Sequence, residues 1–134
     1  VYQGMGPLGG LHAGLTASPD DANLLLACDM PFADPELGRY LLSLLNDHDA
    51  VVPVLEKGPE PLFAAFRKTC LAQVETNLKS GVLKMQKLLD QVNTQYVLES
   101  DLRRYDHELR SFLNVNTPED YAQALSLLRA AARD

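Results

Sequence analysis

The chain has 134 residues, of which 46% are hydrophobic, and a formal net charge of −6. This length suits one domain, and the composition is that of a folded globular protein rather than a disordered one. The acidic charge has no compensating basic cluster, which argues against nucleic-acid binding because the phosphate backbone would be repelled. No apolar run approaches the ~20 residues that span a bilayer, and no signal peptide is visible after Val1. The two cysteines, Cys28 and Cys70, form neither a disulfide framework nor a zinc-ligand cluster, so we expect reduced, buried thiols and a cytoplasmic protein.

The first half of the chain predicts strands alternating with a helix. Residues 23–28 contain an unbroken apolar run, which is typical of a central parallel strand buried on both faces. Asp34 and Pro35 predict the N-cap and first residue of a helix. Strands are predicted at residues 50–54 and 62–66, with a turn at Gly58-Pro59 between them. The apolar face of the predicted helix consists of Leu37, Tyr40, Leu41, Leu44 and Leu45.

The second half continues the alternation. Two amphipathic helices are predicted around residues 71–78 and 82–92, and Gly81 ends the first of them. A short strand at 95–98, a polar surface segment at 101–110 and a strand at 112–116 follow. Thr117 and Pro118 predict the start of a last helix. The alternation of strands and helices predicts an α/β fold with a mainly parallel sheet.

The first candidate site is the glycine-rich segment Gly6-Pro7-Leu8-Gly9-Gly10, which precedes a predicted helix. Glycines let the backbone approach a ligand closely, and the free N–H groups of the following helix would point toward an anion. A plain turn before a helix explains the glycines alone more simply. The segment matches neither the P-loop pattern nor a dinucleotide-binding fingerprint. His12, which has no second histidine nearby, is interpreted as a helix-surface residue.

The second candidate is Cys28-Asp29-Met30-Pro31-Phe32, directly after the predicted buried strand. Ligands of open α/β sheets bind at the carboxyl ends of the strands. Asp29 is therefore placed where a carboxylate would hold Mg²⁺ against the phosphates of a nucleotide. Position alone leaves an alternative open, in which Asp29 caps a turn before Pro31.

The third candidate is the pair Asn114 and Asn116, which would share one face of a strand and orient a ligand or a metal-bound water. In the alternative interpretation, Asn116 and Thr117 only shape the turn into the last helix. Glu60 offers a further carboxylate, but the neighbouring Gly58 and Pro59 favour a solvated loop. No nucleophile–base pair stands out, and nothing marks Cys70 as reactive.

In their order and spacing, these motifs resemble those of the molybdenum cofactor guanylyltransferases, the MobA-like proteins. The resemblance implies a Rossmann-like, three-layer nucleotide-diphospho-sugar transferase fold, as a single domain over residues 1–134. It also implies a reaction in which the phosphate of molybdopterin attacks the α-phosphate of GTP and releases pyrophosphate. The matching segments are Gly6-Pro7-Leu8-Gly9-Gly10, Cys28-Asp29-Met30-Pro31-Phe32, Pro61-Leu62 and Asn114-Val115-Asn116-Thr117-Pro118-Glu119-Asp120.

The same resemblance implies roles for individual residues. Gly6, Pro7, Leu8, Gly9 and Gly10 would contact the nucleotide. Asp29 would be the catalytic residue that holds Mg²⁺ and, through it, the nucleotide. Asn114 and Asn116 would lie toward the molybdopterin. The implied partners are GTP, molybdopterin, other molybdenum cofactor biosynthesis proteins and the recipient molybdoenzymes. The absence of an evident general base agrees with such a transfer, which depends on charge neutralisation and positioning.

The sequence departs from the family pattern in two places. The family begins with a strand, a Leu-Ala-Gly-Gly loop, an Arg-Met-Gly segment and a lysine around the triphosphate, and it has an aspartate shortly before Gly-Pro-Leu. None of these occurs in the 134 residues, so we expect an N-terminally incomplete domain that is inactive alone. Glu60 stands where many members have His. The alternatives are a cytidylyltransferase of the same cofactor, another sugar nucleotidyltransferase, and a non-catalytic homologue that serves as a binding module.

Overall fold

The computed structural model describes residues 5–27 and 30–112. The helices within these ranges are α1 (Gly6–Ala17), α2 (Pro35–Ser43), α3 (Leu71–Lys79), α4 (Met85–Gln91) and α5 (Glu99–Leu102). The strands within the same ranges are β1 (Ala22–Leu26), β2 (Ala50–Leu55), β3 (Gly58–Pro59), β4 (Phe63–Arg67) and β5 (Thr94–Leu98). Short 3₁₀ helices cover Lys68–Cys70 and Arg110–Phe112. In the described ranges, no helix is both long enough and apolar enough to cross a membrane.

The strands form one sheet in the order β1-β4-β2, with β5 on the other edge of β2. β1 and β2 both run antiparallel to β4, and β5 runs parallel to β2. Three of the strands, β1, β2 and β5, therefore point the same way. The α/β class is confirmed. Most of the ladders are nevertheless antiparallel, because β4 is inserted between β1 and β2.

Two apolar clusters cover the two faces of the sheet, which gives three layers. Because successive strand residues point to opposite faces, Ala50 and Val52 of β2 lie in the first cluster and Val51 lies in the second. Helices α1, α3 and α4 supply the rest of the first cluster, including Leu8, Leu15, Val74, Leu78 and Leu88. Helices α2 and α5 cover the second, which includes Met30, Leu37, Leu41, Leu102 and Phe112.

The expectation that the apolar run of residues 23–28 forms a central strand buried on both faces is wrong. In the described part of the chain, β1 pairs with β4 alone and lies at the edge of the sheet. None of its five residues is fully buried, and Leu24 and Leu26 are 37% and 45% exposed. The apolar composition of a strand indicates that it could be buried, but the neighbouring elements determine how much of it is buried.

Helix α2 begins where the sequence predicts. The Asp34 carboxylate accepts a hydrogen bond from the N–H of Glu36 at 2.8 Å, and Pro35 is the first helical residue. This N-cap satisfies a backbone donor that would otherwise lack a partner. Leu37, Leu41 and Leu45 are buried as predicted, and they pack the helix onto the sheet.

The segment between β2 and β4 folds differently from the prediction. The turn lies at Glu56 and Lys57, two residues earlier than expected, and Gly58–Pro59 forms β3 against the end of β2. β3 and β4 pair with the same edge of β2, because β5 occupies the other edge. Residues 61 and 62 leave the ladder as a bulge, whereas the N–H of Glu60 still donates to the carbonyl of Pro53 of β2.

The later elements follow the predicted order. Gly81 takes a φ of 74° just after α3, as a glycine at a helix end does, and α4 and β5 lie where expected. The predicted polar surface segment at 101–110 is only partly right, since Leu102 is fully buried and Tyr105 stacks on Tyr40 with ring centroids 4.3 Å apart. The predicted strand at 112–116, beyond Phe112, and the helix from Thr117 lie outside the described residues.

Candidate functional site

The carboxyl ends of β1, β2 and β5 lie at one edge of the sheet, because these strands share a direction. In open α/β folds this edge is where ligands bind. The residues that follow these strands are Ala27, Glu56 and Glu99. Of the candidate motifs, the glycine-rich segment lies within the described residues, as does the chain that flanks Cys28-Asp29 and leads to Asn114.

The residues around the predicted metal ligand are fixed at this edge. The N–H of Ala27 donates to the carbonyl of Leu62 at 2.8 Å, which ties the end of β1 to the start of β4. The N–H of Met30 donates to the carbonyl of Ala27 at 3.1 Å, and the Met30 side chain is buried in the second cluster. Cys28 and Asp29 lie outside the described residues. Their two flanks, however, are joined to each other and to the sheet.

The flank of the third motif is bound to the flank of the second. The Oγ of Ser111 accepts a hydrogen bond from the N–H of Asp34 at 2.8 Å, and Ser111 is fully buried. The Asp106 carboxylate accepts from the N–H groups of Ser111 and Arg110, at 2.7 and 3.1 Å. The ring of Phe112 packs on Phe63 of β4 with a centroid distance of 5.4 Å. The chain just before Asn114 is thereby fixed beside the chain just after Asp29, while Asn114 and Asn116 themselves lie outside the described residues.

An open groove of about 350 Å³ lies between these two flanks. Arg110 contributes the groove's cation. Its Nη2 donates to Glu108 at 2.8 Å, and its buried Nε has no hydrogen-bond partner in the described ranges. The carboxylates of the groove are already used, since Asp34 caps α2 and Asp106 holds two backbone N–H groups. The groove is lined by Phe32, Ala33, Asp34, Pro35, Asp106 and Arg110.

Glu60 is not part of a solvated loop, so that interpretation is wrong. The residue is 8% exposed, and its N–H donates to the carbonyl of Pro53 at 2.8 Å, near the carboxyl end of β2. Its Oε2 lies 3.9 Å from the Nζ of Lys57, and among residues 5–27 and 30–112 its carboxylate accepts no hydrogen bond. The apparent loop composition misled because Glu60 continues the pairing of β3 with β2 and is buried there. Only its place directly before the apolar residues 61–66 gave a hint of burial.

The glycine-rich segment is helical rather than a loop before a helix. Helix α1 begins at Gly6, which has a φ of 65°, and the preceding Met5 provides no side-chain cap. The N–H groups of the first turn are therefore available to an anion. Leu8 is fully buried in the first cluster, so it has only its backbone left for a ligand. Gly6, Pro7 and Gly10 are exposed.

Two other residues singled out in the sequence do not form a reactive centre. Burial, reinforced by the nearby Asp49 carboxylate, raises the pKa of Cys70 to about 12, so its thiol stays protonated and unreactive near neutral pH. The buried free thiol that the sequence predicts at Cys70 is confirmed. His12 lies on α1, and its Nε2 is 3.0 Å from the Oε1 of Glu75, which links α1 to α3.

The described residues contain no group of three or more His, Cys, Asp or Glu side chains that could enclose a metal ion. Such a group is required by a metal held by protein ligands alone. Magnesium in phosphoryl-transfer sites is held by one or two carboxylates, and water and phosphate oxygens complete its coordination. A carboxylate at the end of β1 fits that second kind of site.

The order of strands, the helix start on one face and the joined loops at the carboxyl edge define a nucleotidyltransferase type of α/β domain. The profile of the MobA-like NTP transferase domain matches residues 2–99. The chain belongs to this family. The predicted family and fold are confirmed.

Two relatives and one solved structure show what this chain is similar to. A probable molybdenum cofactor guanylyltransferase of Pelotomaculum thermopropionicum is 38% identical over 124 residues, which are 92% of this chain and 60% of the relative. A molybdenum cofactor guanylyltransferase of Desulfosudis oleivorans is 32% identical over 97% of this chain and 65% of the relative. The crystal structure of molybdopterin-guanine dinucleotide biosynthesis protein A from Archaeoglobus fulgidus superimposes with a TM-score of 0.81 at 31% identity, covering 92% of this chain and 63% of that chain. The chain thus spans somewhat less than two thirds of the length of these relatives.

Proposed function

We propose that this chain provides the nucleotidyltransferase domain of a molybdenum cofactor guanylyltransferase, which transfers GMP from GTP to molybdenum-bearing molybdopterin. One observation carries the proposal most directly. The hydrogen bond from the N–H of Asp34 to the Oγ of Ser111 joins the chain after Asp29 to the chain before Asn114. The described chain next to the segments expected to face the nucleotide phosphates and the acceptor is therefore joined, which supports a transfer between two substrates held close together.

The start of α1 supplies the nucleotide side of the reaction. Gly6, Pro7, Leu8, Gly9 and Gly10 bind the nucleotide mainly through their backbone, since Leu8 is buried and the glycines have no side chains. The uncapped N–H groups of the first helical turn favour negative charge and orient the phosphates. These contacts hold the α-phosphate in one position for attack.

Asp29 is the residue we assign to the divalent cation, for which Mg²⁺ suits a single carboxylate best. When bound, Mg²⁺ neutralises charge on the phosphates and on the leaving pyrophosphate. The hydrogen bond between Met30 and Ala27 joins the described residues on the two sides of Cys28-Asp29.

The acceptor lies on the other side of the cleft. Asn114 and Asn116 orient the molybdopterin, and the neighbouring Arg110 adds positive charge where the attacking phosphate approaches. That phosphate already carries negative charge, so no general base is needed. The reduced, buried Cys70 suits a cytoplasmic enzyme.

The relatives' names favour GTP over CTP, and so favour this function over a cytidylyltransferase of the same cofactor. The test uses the natural polypeptide that contains residues 1–134, with GTP, Mg²⁺ and molybdenum-bearing molybdopterin. We expect pyrophosphate and the guanine dinucleotide to form in equal amounts. Pyrophosphate release that does not depend on molybdopterin would contradict the proposal.

A further inference from the structure

Glu60 is a buried carboxylate for which the fold itself has little use. Burying an ionised carboxylate is costly unless it is paired or hydrogen-bonded. Glu60 is 8% exposed, yet its nearest described cation is the Nζ of Lys57 at 3.9 Å, beyond hydrogen-bond distance, on a side chain that is 62% exposed. Among the described residues, its one hydrogen bond is that from its backbone N–H to the carbonyl of Pro53. A carboxylate kept in such a place is ready to accept hydrogen bonds from a ligand.

Glu60 lies near the carboxyl end of β2, and its neighbours in the chain pack on the second cluster. It precedes Leu62, whose carbonyl accepts the hydrogen bond from Ala27 just before Cys28-Asp29. Leu55 and Leu62, on either side of it along the chain, pack on the second cluster, to which Phe112 also belongs. The start of α1, by contrast, packs on the first cluster, across the sheet.

The chemistry of a carboxylate limits the kind of ligand that Glu60 can bind. Its two oxygens accept a pair of parallel N–H bonds, and charge assistance makes such bonds strong. The 2-amino-4-oxo-pyrimidine edge, which is common to pterins and guanine, presents such a pair on its ring nitrogen and its amino group. Lys57 offsets part of the negative charge without occupying the carboxylate at hydrogen-bond distance.

We propose that the Glu60 carboxylate binds the 2-amino-4-oxo edge of the pterin of the acceptor. This inference rests on the proposed function, since it names a recognition contact of its second substrate. The position beside the second cluster assigns the contact to the pterin rather than to the guanine of GTP, which has the same edge.

The test compares Glu60→Gln with the matched control Glu56→Gln, an exposed glutamate in the turn before β3. Gln keeps the shape but offers one acceptor and one donor group, and the donor faces an N–H of the pterin. In the natural polypeptide that contains this chain, we expect the KM for molybdopterin to rise about 10-fold or more in Glu60→Gln, as for the loss of one charge-assisted hydrogen bond. The KM for GTP of Glu60→Gln should equal that of the wild type. Both KM values of the control Glu56→Gln should also equal those of the wild type. Glu60→Asp keeps the charge but shortens the side chain. Its KM for molybdopterin should lie between those of the wild type and Glu60→Gln.

Two further arms separate the possible failures. ITP lacks the 2-amino group, so a Glu60→Gln variant that loses the preference for GTP over ITP, with an unchanged KM for molybdopterin, would move the contact to guanine and overturn the inference. Fluorescence titration with free pterin measures binding without turnover, and we expect Glu60→Gln to bind it about 10-fold more weakly. If the wild type makes no dinucleotide, the proposed function fails, whereas the titration still tests Glu60. Equal pterin affinity and an equal KM for molybdopterin in wild type and Glu60→Gln would refute this inference and leave the proposed function standing. Thermal unfolding checks that both proteins are folded.

Discussion

Strands β1 and β2 have similar compositions and the same direction, but the fold uses them differently. Four of the five residues of β1 and all six of β2 are apolar or small, yet Val51 and Val52 of β2 are fully buried, whereas Leu24 and Leu26 of β1 are 37% and 45% exposed. β2 has partners on both edges, and among the described residues β1 has β4 alone. β2 therefore carries much of the stability, because it contributes to both apolar clusters. β1 contributes little to the core and instead leads the chain to the candidate site at Cys28-Asp29.

The comparison predicts that changes after β1 alter activity without altering stability. Asp29→Asn removes the charge we assign to the metal and keeps the shape. We expect turnover to fall at least ~10²-fold, as with the loss of other charge-stabilising groups in active sites. Steady-state kinetics in the natural polypeptide measures this, with Asp20→Asn, an exposed aspartate before β1, as the control. Turnover near that of the wild type would return Asp29 to capping a turn.

Changes within the strands themselves should show the reverse pattern. Val52→Ala leaves a cavity in the first cluster, and we expect it to lower the free energy of unfolding by ~2 kcal/mol. Leu26→Ala removes a larger but half-exposed side chain and should cost less than ~1 kcal/mol. Urea unfolding of the two variants measures both changes in the free energy of unfolding. A cost for Leu26→Ala that equals or exceeds that of Val52→Ala would mean that β1 is as important to the core as β2.

The next prediction concerns Cys70, which lies beside β2, and the pH dependence of the free energy of unfolding. Its thiol donates to the carbonyl of Asp49, just before β2, at 3.2 Å, and burial raises its pKa from 9.0 to about 12. The folded state therefore favours the protonated thiol. The stability from this preference is complete below pH 9 and is lost progressively as the pH rises toward 12. By pH 10 the loss amounts to about 1 kcal/mol.

The measurement is the free energy of unfolding at pH 7 and pH 10 under reducing conditions. The control is Cys70→Ala, which has no thiol at this position and should lack that part of the pH dependence. The same pH dependence in both proteins would show that Cys70 is not the group responsible.

The smallest expected effect concerns the contact between β1 and α2. A Cβ on Gly38 would lie 2.8 Å from the Cδ2 of Leu24, the end of a partly exposed side chain that has room to move. Gly38→Ala should gain ~0.5–1 kcal/mol of helix stability and lose part of it to this contact, so the net change is small. The double variant Gly38→Ala/Leu24→Ala should recover the helix gain relative to Leu24→Ala alone. A loss of more than ~2 kcal/mol in Gly38→Ala would show that β1 is held rigidly.

The sequence predicts best where local chemistry decides the structure. Asp34 and Pro35 specify the start of α2 through the cap, and the unbroken apolar residues of β2 specify a buried strand. The sequence-based prediction fails where neighbouring strands determine the structure. Nothing in residues 22–26 indicates that, among the described strands, β1 pairs with β4. Glu60 was misjudged for the same reason, since its burial comes from the pairing with β2 rather than from its own neighbours in the chain.

The candidate site was predictable in its position but not in its assembly. The rule that ligands bind at carboxyl ends of strands pointed to the chain after β1. The contact of Ser111 with Asp34 spans 77 positions along the chain, and no local pattern predicts it. The start of α1 at Gly6 was missed because the glycines and Pro7 favour a turn, although Pro is also common in the first turn of a helix.

The central claim is guanylyl transfer, and the choice of nucleotide tests it most directly. Guanine offers an O6 acceptor with N1 and N2 donors, and cytosine is smaller and presents a different edge. A pocket shaped for guanine would leave polar groups unpaired around cytosine, at ~1–3 kcal/mol each, and two of them give discrimination of ~10²-fold or more. The measurement is the ratio of kcat/KM for GTP to that for CTP in competition, with the natural polypeptide and molybdenum-bearing molybdopterin. We predict a ratio of at least ~10², and equal use of both nucleotides or a preference for CTP would contradict the account.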